Sequence, residues 1–114
     1  MRVALFVSLA VAAASPALAS DRTGYQAIAA GDYQKAEETL VQERRIFPRR
    51  PELMINLATV YARTGRTSEA ANLYRTALQV DAVDMAMPDG MVTSSHDVAR
   101  RGLNRPGTTT LAVR

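Results

Sequence analysis

Across residues 21–80, apolar positions fall into four segments in which they recur every three or four residues, the period of a helix with one buried face. Glu52–Thr64 carries Leu53, Met54, Leu57, Val60 and Tyr61, with Ala58 between them. Ser68–Val80 carries Ala70, Leu73, Tyr74, Ala77, Leu78 and Val80. The two earlier segments, Asp21–Ala30 and Tyr33–Ile46, have a thinner stripe of Tyr25, Ile28, Ala29, Tyr33, Ala36 and Leu40, ending at Ile46 and Phe47. Stripes of this kind mark a packed core rather than a cofactor site.

The residues between the stripes give each segment its ends. Gly31 and Gly65 suit helix termini, because glycine takes a left-handed conformation without a Cβ penalty. Asp32 and Thr67 are expected N-caps for the second and fourth helices. Glu37 and Glu38 lie in the first turns of the second helix, where the dipole favours negative charge. Pro48 and Pro51 force a break around Arg49-Arg50. Beyond the fourth helix, Asp84–Gly90 reads as a loop, and Ser94–Arg101 can form a short capping helix with Ser94 or Ser95 as its cap. From Gly102 the chain is loop-like, and Leu111–Val113 can add a short strand, dock on a partner or end the chain as a flexible tail.

The first residues have a different character. Met1-Arg2, an apolar run from Val3 to Ala14, the break at Ser15-Pro16 and the small residues of Ala17-Leu18-Ala19 follow the order of a secretory signal. The run is too short for the roughly 20 residues a membrane-spanning helix needs. Residues 1–19 are therefore expected to be removed, with no stable membrane span left after cleavage. The short alanine-rich signal points to a bacterial periplasm or to secretion. Residues 20–84 then form the helical domain and 85–114 a loop-rich basic tail.

Composition adds constraints. The chain has no cysteine, which excludes disulfides, thiolate metal sites and a lipid-anchored cysteine. The net charge is +3, but residues 20–84 balance nine basic against nine acidic side chains, leaving the excess elsewhere. A basic footprint for nucleic acid is not expected. Arg44-Arg45 and Arg49-Arg50 are the one basic cluster, able to touch anionic lipid or an acidic partner but diluted by Glu37, Glu38, Glu43 and Glu52.

The segments repeat. Gly31 and Gly65, Ala36 and Ala70, and Leu40 and Tyr74 are each 34 residues apart. With Met54, Leu57-Ala58, Tyr61, Gly65, Ala70, Tyr74 and Ala77 in the second unit, and Gly24, Gly31-Asp32-Tyr33, Ala36, Leu40 and Pro48 in the first, the chain resembles the tetratricopeptide repeat. Met54 stands where that family has a large aromatic, and Ala82 where it has proline. Ser20, Thr23 and Ala27 are smaller than usual, and Glu43 replaces an alanine. The resemblance implies an all-α short solenoid of two helix-turn-helix units, and a scaffold whose first helices line a groove for a peptide or protein. Asn56, Thr59 and Arg63 are the matching groove positions of the third helix; subtracting 34 gives Arg22, Tyr25 and Ala29 on the first. Arg22, Tyr25, Asn56, Thr59 and Arg63 are therefore the expected partner-binding residues.

Two units are fewer than the roughly three that such repeats need for stability, so either Val83–Gly102 adds a capping helix or the protein associates with itself or a partner. No catalytic constellation, cofactor motif or metal-ligand set is visible. Ser94-Ser95-His96-Asp97 places triad residue types side by side, but a triad meets through the fold, and a capped turn explains the run. The leading expectation is an exported protein-interaction module. An envelope-associated assembly component without a discrete ligand, and a chaperone-like peptide binder, are the alternatives. Light scattering separates the first two, because assembly requires a defined oligomer. If the signal reading holds, mass spectrometry of the periplasmic fraction will find an N-terminus at Ser20; a full-length species held in the membrane would refute it.

Overall fold

The computed structural model describes residues 21–105. The expected signal segment, its cleavage site and Leu111–Val113 lie outside the described residues. Within them run α1 (Tyr25–Ala29), α2 (Tyr33–Ile46), α3 (Pro51–Arg63), α4 (Thr67–Leu78), the strands β1 (Asp84–Ala86) and β2 (Val92–Ser94), and α5 (Ser95–Leu103). The architecture is the short helical repeat expected from the apolar pattern, with a small hairpin added.

The repeat holds down to individual hydrogen bonds. At the end of α1 the Asp32 amide donates to the Ala27 carbonyl at 2.9 Å; 34 residues on, the Arg66 amide donates to the Tyr61 carbonyl at 2.8 Å. Both closures enclose a glycine with positive φ, Gly31 at 76° and Gly65 at 81°, a conformation that would strain any other residue. The chain then turns directly into α2 and α4, where Ala36 and Ala70 are fully buried. Leu40, Ala58, Val60 and Ala77 are also sealed from solvent, and with Leu53, Met54, Leu57 and Tyr74 they form one continuous core. Alanine at these positions lets neighbouring helices approach closely.

Several ends differ from the sequence expectation, each for a local reason. α1 begins at Tyr25 rather than Asp21 because Gly24 takes φ 67° and the Asp21 carboxylate folds over the helix start. Asp21 Oδ1 accepts from the Gln26 amide at 2.9 Å and Oδ2 from the Ala27 amide at 3.2 Å, satisfying two orphan donors. Asp32 caps α2 as expected, accepting from the Lys35 amide at 3.2 Å. Thr67 is not a cap: it is the first helical residue of α4, and the N-cap is Arg66, which makes no side-chain cap bond. Pro51 opens α3, where its missing N–H costs nothing.

The stretch from Met85, read as loop-rich, contains an antiparallel hairpin pairing Asp84 with Ser94, Met85 with Thr93 and Ala86 with Val92. Its turn is closed by the Met87 amide on the Met91 carbonyl at 2.8 Å and by Asp89 Oδ1 accepting from the Met91 amide at 2.9 Å. Three-residue strands are too short to show a period, so the turn residues Pro88-Asp89-Gly90 were the only available signal.

The hairpin leads into α5, which caps the repeats. Ser94 is its N-cap, with Oγ accepting from the His96 amide at 3.2 Å. Ser95 is fully buried and ties the hairpin base: its Oγ accepts from the Val83 amide at 3.0 Å, and its amide donates to the Val83 carbonyl at 2.8 Å. His96 Nε2–H donates to the Val80 carbonyl at 2.7 Å, occupying an acceptor just past α4. α5 packs on α4 and α3. Ala99 is fully buried, and Gly102, read from sequence as the start of a loop, faces the ring of Tyr74. A Cβ at Gly102 would overlap that ring, and Tyr74 is itself only 2% exposed and has little room to yield.

Gly102→Ala therefore gives a sign test of this packing. In an open helix the change stabilises by about 1 kcal/mol. Here the overlap should reverse the sign, with a net loss on the order of 1–3 kcal/mol in denaturant unfolding. A gain in stability would show that α5 does not sit on Tyr74.

Candidate partner-binding face

The five residues expected to form the groove lie on α3 and on the turn entering α1. Asn56 links the two: its Nδ2 donates to the Thr23 carbonyl at 2.8 Å. That bond holds the Thr23 carbonyl, between Arg22 and the start of α1 at Tyr25, against α3. Tyr25 is 48% exposed although large and aromatic, and Arg22 is also exposed.

Thr59 lies one turn further along α3 and is half-buried. Its Oγ1 donates to the Ile55 carbonyl at 3.0 Å and lies 3.5 Å from the Tyr74 hydroxyl. Arg63, in the last turn of α3, is exposed. Arg22 and Arg63 make no ion pair with the described residues. The five thus divide by their bonding. Asn56 and Thr59 spend donors on the protein's own backbone, whereas Arg22, Tyr25 and Arg63 present unpaired side chains to solvent. Two guanidinium groups and an amphipathic ring can pair carboxylates and cover an apolar stem.

A second group of polar contacts was not foreseen from sequence. Arg66 Nη1 donates to Glu37 Oε1 at 2.6 Å, and its guanidinium lies 4.3 Å from the centre of the Tyr61 ring. The hydrogen bond to Glu37 raises the Arg66 pKa above its ordinary value. Burial raises the Tyr61 hydroxyl, and the nearby carboxylates of Glu37 and Glu69 raise it further. Both groups therefore hold one charge state at neutral pH, and the contact joins α2 to the α3–α4 turn.

A cavity of about 300 Å³ lies under the hairpin, lined by Met87, Pro88, Asp89, Met91, Thr93 and Arg101. None of the five expected groove residues lines it. Among the described residues, no group of three or more histidine, cysteine or acidic side chains could hold a metal ion. No helix among them is long and apolar enough to cross a membrane.

A family model described as tetratricopeptide repeat matches residues 27–87, from the middle of α1 to just past the first strand. No curated protein and no solved structure matches the chain.

The Asn56 bond predicts a local effect. Asn56→Ala should cost about 0.5–1.5 kcal/mol, the net worth of one hydrogen bond. Amide exchange should accelerate within residues 21–30 more than in α4. Uniform acceleration across all helices would indicate that Asn56 does not anchor this turn.

Proposed function

The chain belongs to the tetratricopeptide repeat family, whose members are protein-interaction modules and typically non-catalytic scaffolds, and from that premise we propose that it is an exported module binding an acidic peptide or protein segment across α1 and α3. The observation that carries the reading is the pairing of use and exposure on that face. Asn56 holds the α1 entry against α3, while Arg22 and Tyr25 at that entry and Arg63 two turns further along α3 remain exposed and unpaired.

In this reading Arg22 and Arg63 pair carboxylates of the partner, and the Tyr25 ring covers the aliphatic part of its chain. Guanidinium groups suit this task because they present rigid, always-charged donor arrays. Asn56 acts as the support that holds the entry of α1 against α3, while Thr59 stays tied to its own helix and lies near the Tyr74 hydroxyl. Export accounts for the apolar N-terminal run and the small residues at positions 17 and 19.

Charge reversal tests the face without disturbing the core. Arg22→Glu with Arg63→Glu should shift stability by under about 0.5 kcal/mol, as exposed substitutions usually do. Each lost charge-assisted hydrogen bond should weaken partner capture by around 1.5–3 kcal/mol. Pull-downs from a periplasmic extract, with both proteins first checked for folding, measure the difference. Equal capture of the same proteins by wild type and double variant would refute the assignment.

A further inference from the structure

The turn between α2 and α3 concentrates charge and apolar surface in a way that neither the core nor the α1–α3 face uses. Residues 43–52 carry four arginines, Arg44, Arg45, Arg49 and Arg50, against Glu43 and Glu52, a net +2 in ten residues. Glu52 is 3.8 Å from Arg50 and is partly neutralised by it. Glu43 is half-buried, and Glu37 is engaged by Arg66. Glu37 and Glu52 therefore oppose the cluster less in space than in sequence, while Glu38 stays exposed two turns before Arg45 on α2.

Part of the charge has an internal use. Arg44 and Arg45 lie in the last turn of α2, where cations favour the dipole. Arg50 stacks over the Phe47 ring at 4.2 Å. Arg49 has no such use: it lies between the helices, exposed, and Arg45 and Arg49 make no hydrogen bond or ion pair with the described residues. The Arg44 Nε is shielded from solvent and has no hydrogen-bond partner among the described residues. At the centre of this charge Ile46 is 64% exposed, with Phe47 half-buried and Pro48 exposed beside it.

We infer that the α2–α3 corner, Arg45 and Arg49 flanking Ile46, is a docking surface for an anionic lipid membrane. The combination selects lipid over an acidic polypeptide. Arginines are attracted to anionic headgroups, and an exposed branched aliphatic chain gains by entering the acyl boundary just beneath them. Carboxylates alone would satisfy the arginines and leave Ile46 in water, whereas a headgroup layer places acyl chains directly beneath the charges it attracts. The surface is built from residues other than those of the α1–α3 face.

The chain has no tryptophan, so Ile46→Trp in the full-length protein places a single reporter at this corner. With vesicles of equimolar phosphatidylglycerol and phosphatidylcholine, its emission should shift to the blue and be quenched by brominated acyl chains. Pure phosphatidylcholine should produce neither effect, even if the apolar N-terminal run binds it. Adding Arg45→Gln and Arg49→Gln should lower partitioning about fivefold per arginine removed, and added salt should weaken it further. An indole unaffected by the anionic vesicles would overturn the proposal, as would equal insertion into pure phosphatidylcholine. An equal shift with polyglutamate or duplex DNA would also overturn it, assigning the corner to an acidic polymer.

Discussion

The flat ring of Tyr74 against the bare backbone of Gly102 sets how closely α5 approaches α4, and the closed end of the helical stack depends on that distance. A side chain at position 102 would overlap the Tyr74 ring, so α5 or the ring would have to shift. Tyr74 occupies the position that repeats Leu40 at an interval of 34 residues. The two homologous core positions thus have different neighbours. Leu40 lies against Gly24 at the entry to α1, where an added Cβ would come within 3.0 Å of its side chain. Each unit is closed by a large side chain meeting a glycine, one at either end of the stack.

This arrangement explains how two units suffice. A helix pair buries only one side of its apolar stripe, and neighbouring units bury the rest. α5 supplies the missing neighbour at the C-terminal side by packing on both α3 and α4. The hairpin before it fixes its start through the reciprocal Val83–Ser95 bonds and the His96 contact with Val80. At the other end the cover is slight. α1 has five residues, and its entry is held by the Asp21 carboxylate and the Asn56 amide. The stability of that entry rests on a few hydrogen bonds rather than on buried area, so it is the natural place for local opening.

Charge is divided by use. Arg66 is committed to Glu37 and Tyr61 and joins helices. Arg22 and Arg63 lie beside a face organised by Asn56, and Arg45 and Arg49 surround an exposed isoleucine at the opposite end of α2 from its cap. The same residue type thus serves internal cohesion in one place and remains available to partners in two others. Exposure and pairing separate these roles, whereas residue type does not.

The helical class, the 34-residue period and the limits of α2 are legible in the order of residues alone. These features are local: an aspartate cap, an apolar stripe and a terminating glycine or proline act within one or two turns. The remaining features depend on contacts between residues distant in the chain. α1 was shortened by a carboxylate reaching over its first amides, which no periodicity records. The strands of the hairpin hold three residues each, too few for alternation to be visible. Asn56 reads as a solvent-facing groove position in sequence, yet it bonds a carbonyl 33 residues away. Gly102 is locally a helix breaker, but in the fold it is the residue that allows a helix to lie against an aromatic ring. Local propensity cannot distinguish a glycine that ends a helix from one that makes room for a neighbour, because the neighbour lies 28 positions earlier in the chain, at Tyr74.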